Sequence, residues 1–90
     1  MTALEKKIIA AYKAVPEYIR EDMVEAAIWA RDTLMRHEGA GHHFELTAEA
    51  DGLLCCSFAK AEWSGDHAGE PMPTASEAIV RAVCEYLCGA

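Results

Sequence analysis

Hydrophobic positions at the start of the chain recur at helical spacing. Leu4, Ile8, Ala11, Tyr12 and Val15 share one face. Thr2 and Glu5 supply the T-x-x-E pattern of a capping box just ahead of it. Pro16 ends or kinks the helix, because proline disfavours helical geometry in the residue before it. The spacing predicts a helix over 2–15. A longer helix is predicted over 17–37, with Ile19, Met23, Ala26, Ala27, Ala30 and Leu34 as its stripe. Val24, Ile28 and Met35 form a second apolar flank, and Gly39 opens a loop, Gly39-Ala40-Gly41.

The period then shortens to two, which predicts a β-hairpin over 42–63. Asp51-Gly52 is a strong turn signal. A two-residue loop there pairs Ala48 with Cys55, Leu46 with Ser57 and Phe44 with Ala59. The other face then pairs Glu49 with Leu54, Thr47 with Cys56, Glu45 with Phe58 and His43 with Lys60. The second strand is apolar on both faces from Leu53 to Phe58, so it asks for cover on both sides. Residues 64–73, rich in Gly and Pro, read as a loop. Thr74 and Glu77 make a second capping box, and the last helix runs to about Leu87. Its buried face is Ala75, Ile79, Ala82, Val83, Tyr86 and Leu87. The expected architecture is a single α+β domain in the order α-α-β-β-α. A two-stranded antiparallel hairpin packs between helices, since such a hairpin is marginal alone in water.

Composition sharpens this picture. Of the 90 residues 52% are hydrophobic, but seventeen of these are Ala, and Leu, Ile, Val and Phe together also number seventeen. The bulky core is therefore thin, and small residues must line close contacts. No apolar run approaches the ~20 residues of a membrane span. The start of the chain has no apolar signal-peptide region, which points to a cytoplasmic protein with reduced thiols. Cys55 and Cys56 are adjacent and Cys84 and Cys88 lie four apart, spacings that do not suit a disulfide framework.

The net charge of −7 is uneven. Residues 1–20 carry Lys6, Lys7, Lys13 and Arg20 against Glu5 and Glu17, whereas residues 21–90 carry thirteen acids against four bases. Direct nucleic-acid binding is disfavoured, because it depends largely on neutralising phosphates. On the long helix Glu17, Glu21 and Glu25 follow at i, i+4 and i+8, Asp32 projects between Glu21 and Glu25, and Tyr18 and Trp29 border the row. An acidic row edged by aromatic residues suits a basic protein groove, because Tyr and Trp are common binding anchors. Glu45, Glu49 and Asp51 of the hairpin extend this expected partner-binding surface beside Leu54, Cys56 and Phe58. A homodimer through the hairpin is a further expectation.

Catalytic groupings do not emerge. His37-Glu38-Gly39-Ala40-Gly41-His42 is not H-E-x-x-H: the second His comes one residue late, and glycines break the helix that would hold both ligands. A Cys–His nucleophile would need an electropositive setting, and the chain is acidic. No catalytic residue, metal site or cofactor is expected, and the protein is not expected to be an enzyme. One alternative is a small metal-binding regulatory domain, with Cys84 and Cys88 on one helix and His37, His42, His43 and His67 as further ligand types. An oligomeric phage structural component is another.

The run Gly-Leu-Leu-Cys-Cys-Ser-Phe-Ala-Lys-Ala-Glu-Trp, a polar loop, and then Thr74, Ala78, Ile79, Arg81 and Ala82 of the last helix resemble small phage and prophage proteins of the phage ABA-sandwich group. The resemblance covers the C-terminal third and implies a phage or mobile-element origin. Size and acidity are similar to those of anti-CRISPR proteins, which inhibit host defence complexes by binding them. The expected function is a non-enzymatic interaction protein whose acidic surface occupies a basic site on a host protein.

Overall fold

A computed structural model describes residues 1–39, 42–60 and 67–89. The Ala40-Gly41 part of the expected loop and residues 61–63 of the expected hairpin lie outside these residues.

Helix α1 (Ala3–Ala14) begins where the capping box places it: Glu5 N donates to Thr2 Oγ1 at 3.1 Å. Its apolar stripe buries Ile8, and Val15 is buried just past the last turn. The expected single helix over 17–37 is two helices, α2 (Glu17–Arg20) and α3 (Met23–Glu38). Asp22 divides them. Its backbone is extended, and its carboxylate accepts the Glu25 N–H at 3.0 Å, starting a new helix three residues before the stripe residue Ala26. Gly39 closes α3 in the left-handed region, φ +70°.

Strands β1 (His42–Ala48) and β2 (Leu54–Lys60) form the expected hairpin in a different register. Phe44 pairs with Phe58, Glu45 with Ser57, Leu46 with Cys56 and Thr47 with Cys55. The loop has three residues rather than two. Gly52 N donates to Glu49 O at 3.1 Å, closing a turn over Ala50-Asp51, and Gly52 then takes φ +85°. Glu49 N reaches Leu53 O at 2.8 Å, and Asp51 Oδ1 accepts from Leu53 N. This is a turn followed by a glycine bulge, and it shifts every cross-strand pair by one residue. A one-residue shift moves side chains to the opposite face. Glu45 therefore lies across the sheet from Phe58 rather than beside it.

The expected loop over 64–73 contributes a third strand, β3 (His67–Ala68), antiparallel to β2. Met72 exchanges two further backbone hydrogen bonds with Leu54, each 2.7 Å. The sheet order is β1-β2-β3, so the strand that is apolar on both faces is the central one.

Helix α4 (Ala75–Leu87) is the hub. It packs on β2 and β3 and also on α1, α2 and α3. Its Thr74–Glu77 capping box forms as expected. Ser76, Ala78, Ile79, Val80, Ala82, Val83 and Cys84 are all buried, a wider face than the expected one, because a helix between a sheet and other helices is covered almost all round. Leu87, expected inside, is half exposed at the helix end. Phe58 sits under α4 at 2% exposure, worth about 1.5–3 kcal/mol of hydrophobic stabilisation. The helices lie on the Phe58 side of the sheet. Among the described residues no helix covers the side that carries Glu45, Thr47, Cys55 and Ser57, which corrects the expectation of helices on both faces. Arg81 anchors the β3 exit: its Nη2 donates to Glu70 Oε2 at 2.7 Å, while Glu85 Oε2 accepts from the Glu70 backbone at 2.7 Å.

Candidate partner-binding surface

The break at Asp22 splits the expected acidic row in two. Glu17 opens α2 and Glu21 caps its end, where they stay together: the Glu17 carboxyl, by hydrogen bond and charge, raises Glu21 above the ordinary carboxylate range. Glu77 at the start of α4 adds to the same field. Glu77 also accepts a hydrogen bond from the Tyr12 hydroxyl at 3.4 Å, and the Arg20 guanidinium lies 5.4 Å from the centre of that ring. So Glu17 and Glu21 belong to a patch shared by α1, α2 and α4.

Tyr18, Glu25, Trp29 and Asp32 come together elsewhere. With Ile19, Ile28 and Arg36 they line a depression of about 210 Å³ between α2 and α3. Tyr18 is 63% exposed at one wall, and Trp29 is half-buried against the core at the other. Glu25 and Asp32 are exposed on α3, about one turn to either side of Trp29. The arrangement offers two aromatic faces and two carboxylates to a ligand that is cationic and partly apolar. The hairpin acids are not part of it. Glu45 stands on the open face of the sheet, while Glu49 and Asp51 belong to the turn, where Asp51 is occupied in capping Leu53.

Two features were not read from the sequence. One is an apolar depression of about 430 Å³ between α3 and β1, lined by Met23, Val24, Ala27, Ile28, Phe44 and Leu46, with Arg31 at its side. Met23 and Ala27 were expected in the core stripe, yet both face outward here. The second apolar flank, Val24 and Ile28, was the available signal. The other feature is an aromatic cluster about Phe58. The rings of Tyr86, His67, His42 and Phe44 lie 5.1–5.7 Å from it. His67 Nε2 is 3.1 Å from the Ala82 carbonyl, which accepts, and the Tyr86 hydroxyl donates to Glu38 Oε1. Burial and the Glu38 carboxylate push Tyr86 up to about 12.

The thiols are separate and reduced. Burial pushes Cys56 up to about 12 and Cys84 up to about 11, so neither carries thiolate at neutral pH. Cys55 donates to the Gly69 carbonyl at 3.2 Å and is raised too, by burial and then by Glu49. Among the described residues no group of three His, Cys, Asp or Glu side chains is placed to hold a metal ion. No described helix is long and apolar enough to cross a membrane.

Comparison of the chain with protein-family models, with curated proteins and with solved structures found no match.

Proposed function

We propose that the chain is a non-enzymatic interaction protein of phage or prophage origin that binds a basic surface of a host protein through the α2–α3 depression. The observation that carries this reading is the convergence of Tyr18, Trp29, Glu25 and Asp32 on one depression, in a chain of net charge −7. An Arg or Lys side chain entering there stacks on an aromatic face while its head group meets a carboxylate. The surrounding negative field speeds encounter and fixes orientation. A host complex with a cationic nucleic-acid channel has the matching chemistry, and occupying that channel would inhibit it in the manner of anti-CRISPR proteins.

The test is affinity capture from host extract, followed by titration of the recovered protein against wild type and a Glu25→Lys/Asp32→Lys variant. The expected result is a wild-type complex that weakens as salt rises and a variant that binds at least tenfold less tightly. Equal binding by both, or a complex insensitive to salt, would falsify this reading.

A further inference from the structure

The strand β1 lies at the edge of the sheet, and among the described residues only β2 pairs with it. Its free side can be read from the hydrogen bonds. Leu54 exchanges both backbone bonds with Met72, so even-numbered β2 residues bond toward β3 and odd-numbered ones toward β1. Glu49 N to Leu53 O gives the same phase. In β1, therefore, Glu45 and Thr47 bond inward, while Phe44, Leu46 and Ala48 turn their N–H and C=O groups outward. Soluble proteins guard such edges with Pro, charged side chains or bulges. In the segment Phe44-Glu45-Leu46-Thr47-Ala48 the one such device is Glu45.

The apolar depression runs alongside this edge. Val24 is 63% exposed, Met23 53%, Ile28 52% and Leu46 39%, and together they make one contiguous uncovered surface. Patches of this kind mark interaction sites.

We propose that this surface is the interface of a twofold dimer, with a second copy of the chain adding its β1 to the free edge of the first. The surface is complementary to itself. Antiparallel pairing of two β1 strands about Phe44 places His43 opposite Glu45 of the second copy, twice. Pairing about Glu45 would set the two carboxylates side by side, which is unfavourable. Arg31 lines the apolar depression, and Glu25, next to Val24 on α3, lines the adjoining α2–α3 depression. Two α3 helices meeting antiparallel about Ile28 set Arg31 of one copy against Glu25 of the other. Such an isologous contact closes on itself and leaves no free β1 edge. Glu25 and Ile28 also line the α2–α3 depression, so the two contacts share one edge of α3, and sedimentation of the chain alone tests the dimer without the partner.

Sedimentation of the full chain over a wide micromolar concentration range tests the proposal. The expected result is a mass that rises from 9.8 kDa toward twice that value with concentration. Ile28→Glu and Leu46→Lys change exposed side chains and should give monomers with wild-type circular dichroism. Hydrogen exchange provides a reading that needs no variant: the Phe44 and Leu46 amides should become protected as concentration rises. A 9.8 kDa mass at every concentration overturns the proposal and leaves the groove to a partner of different sequence. Concentration-independent exchange at Phe44 and Leu46, or variants that associate like wild type, also overturn it.

Discussion

Gly69 is pressed against Ala82. A Cβ built on Gly69 would stand 2.6 Å from both the Cα and the Cβ of Ala82. Gly69 is buried where the chain leaves β3, and Ala82 is fully buried at the middle of α4. The obstacle is helix backbone, which cannot swing aside. Gly69→Ala should therefore push β3 off α4 and cost about 1–3 kcal/mol. Denaturant unfolding followed by circular dichroism would show this as a lower midpoint at unchanged m. A wild-type midpoint would mean that β3 does not approach α4 this closely.

The division between α2 and α3 rests on the carboxylate of Asp22. Asp22→Ala removes an N-cap and should destabilise the fold by about 1 kcal/mol. Asp22→Asn, which keeps an acceptor at the same place, should recover most of the loss. Equal losses for both variants would show that the hydrogen bond to Glu25 N is not what starts α3.

Glu21 gives a pH-dependent contrast. Its folded-state pKa is raised by Glu17, so its ionisation opposes folding. The sign follows from linkage: stability is fully present below the unfolded carboxylate range and is lost as pH rises through the raised value. Glu21→Gln removes that loss, so it should equal or exceed wild type in stability at neutral pH. The two should converge below the carboxylate range. A variant less stable than wild type at pH 7 would contradict the pairing of Glu17 with Glu21.

The buried thiols tie stability to alkaline pH. Cys56 and Cys84 ionise at their ordinary value near 9 when unfolded, but at about 12 and about 11 in the folded chain. Folded-state pKa values above the unfolded ones mean stability that is intact below pH 9 and falls as pH climbs toward those values. Timed alkylation with mass spectrometry at pH 8 should modify Cys88 first. Cys56 and Cys84 should react only on unfolding. Early modification of Cys56 would place it outside the core.

Local chemistry was legible in the sequence, and tertiary pairing was not. The capping boxes at Thr2 and Thr74 and the α+β order follow from residues a few positions apart. Asp22 and Glu25 carried the same kind of signal, but a continuous apolar stripe from Ile19 to Leu34 ran across the break and hid it. Asp51-Gly52 fits a two-residue loop and a three-residue loop with a bulge equally well. Only packing against α4 selects the register that puts Phe44, Cys56 and Phe58 on one face. His67–Ala68 is too short to show a strand period, and its pairing depends on β2 having an open side. The grouping of Glu25, Trp29 and Asp32 was readable because all three sit on one helix flank. Glu45 was misplaced because a single-residue shift reversed its face.

Tyr86 joins two levels of the structure and separates them experimentally. Its ring meets Phe58 edge-on at 5.2 Å under the sheet, while its hydroxyl donates to Glu38 at the end of α3. Tyr86→Phe keeps the ring contact and removes only the charge-assisted hydrogen bond, which should cost about 1.5–3 kcal/mol. Tyr86→Leu also loses the aromatic pairing and should cost more, by about 0.5–1.5 kcal/mol. Unfolding free energies of wild type and both variants at neutral pH would separate the contributions. If Tyr86→Phe matches wild type at neutral pH, the link between α4 and the end of α3 lies in ring packing alone.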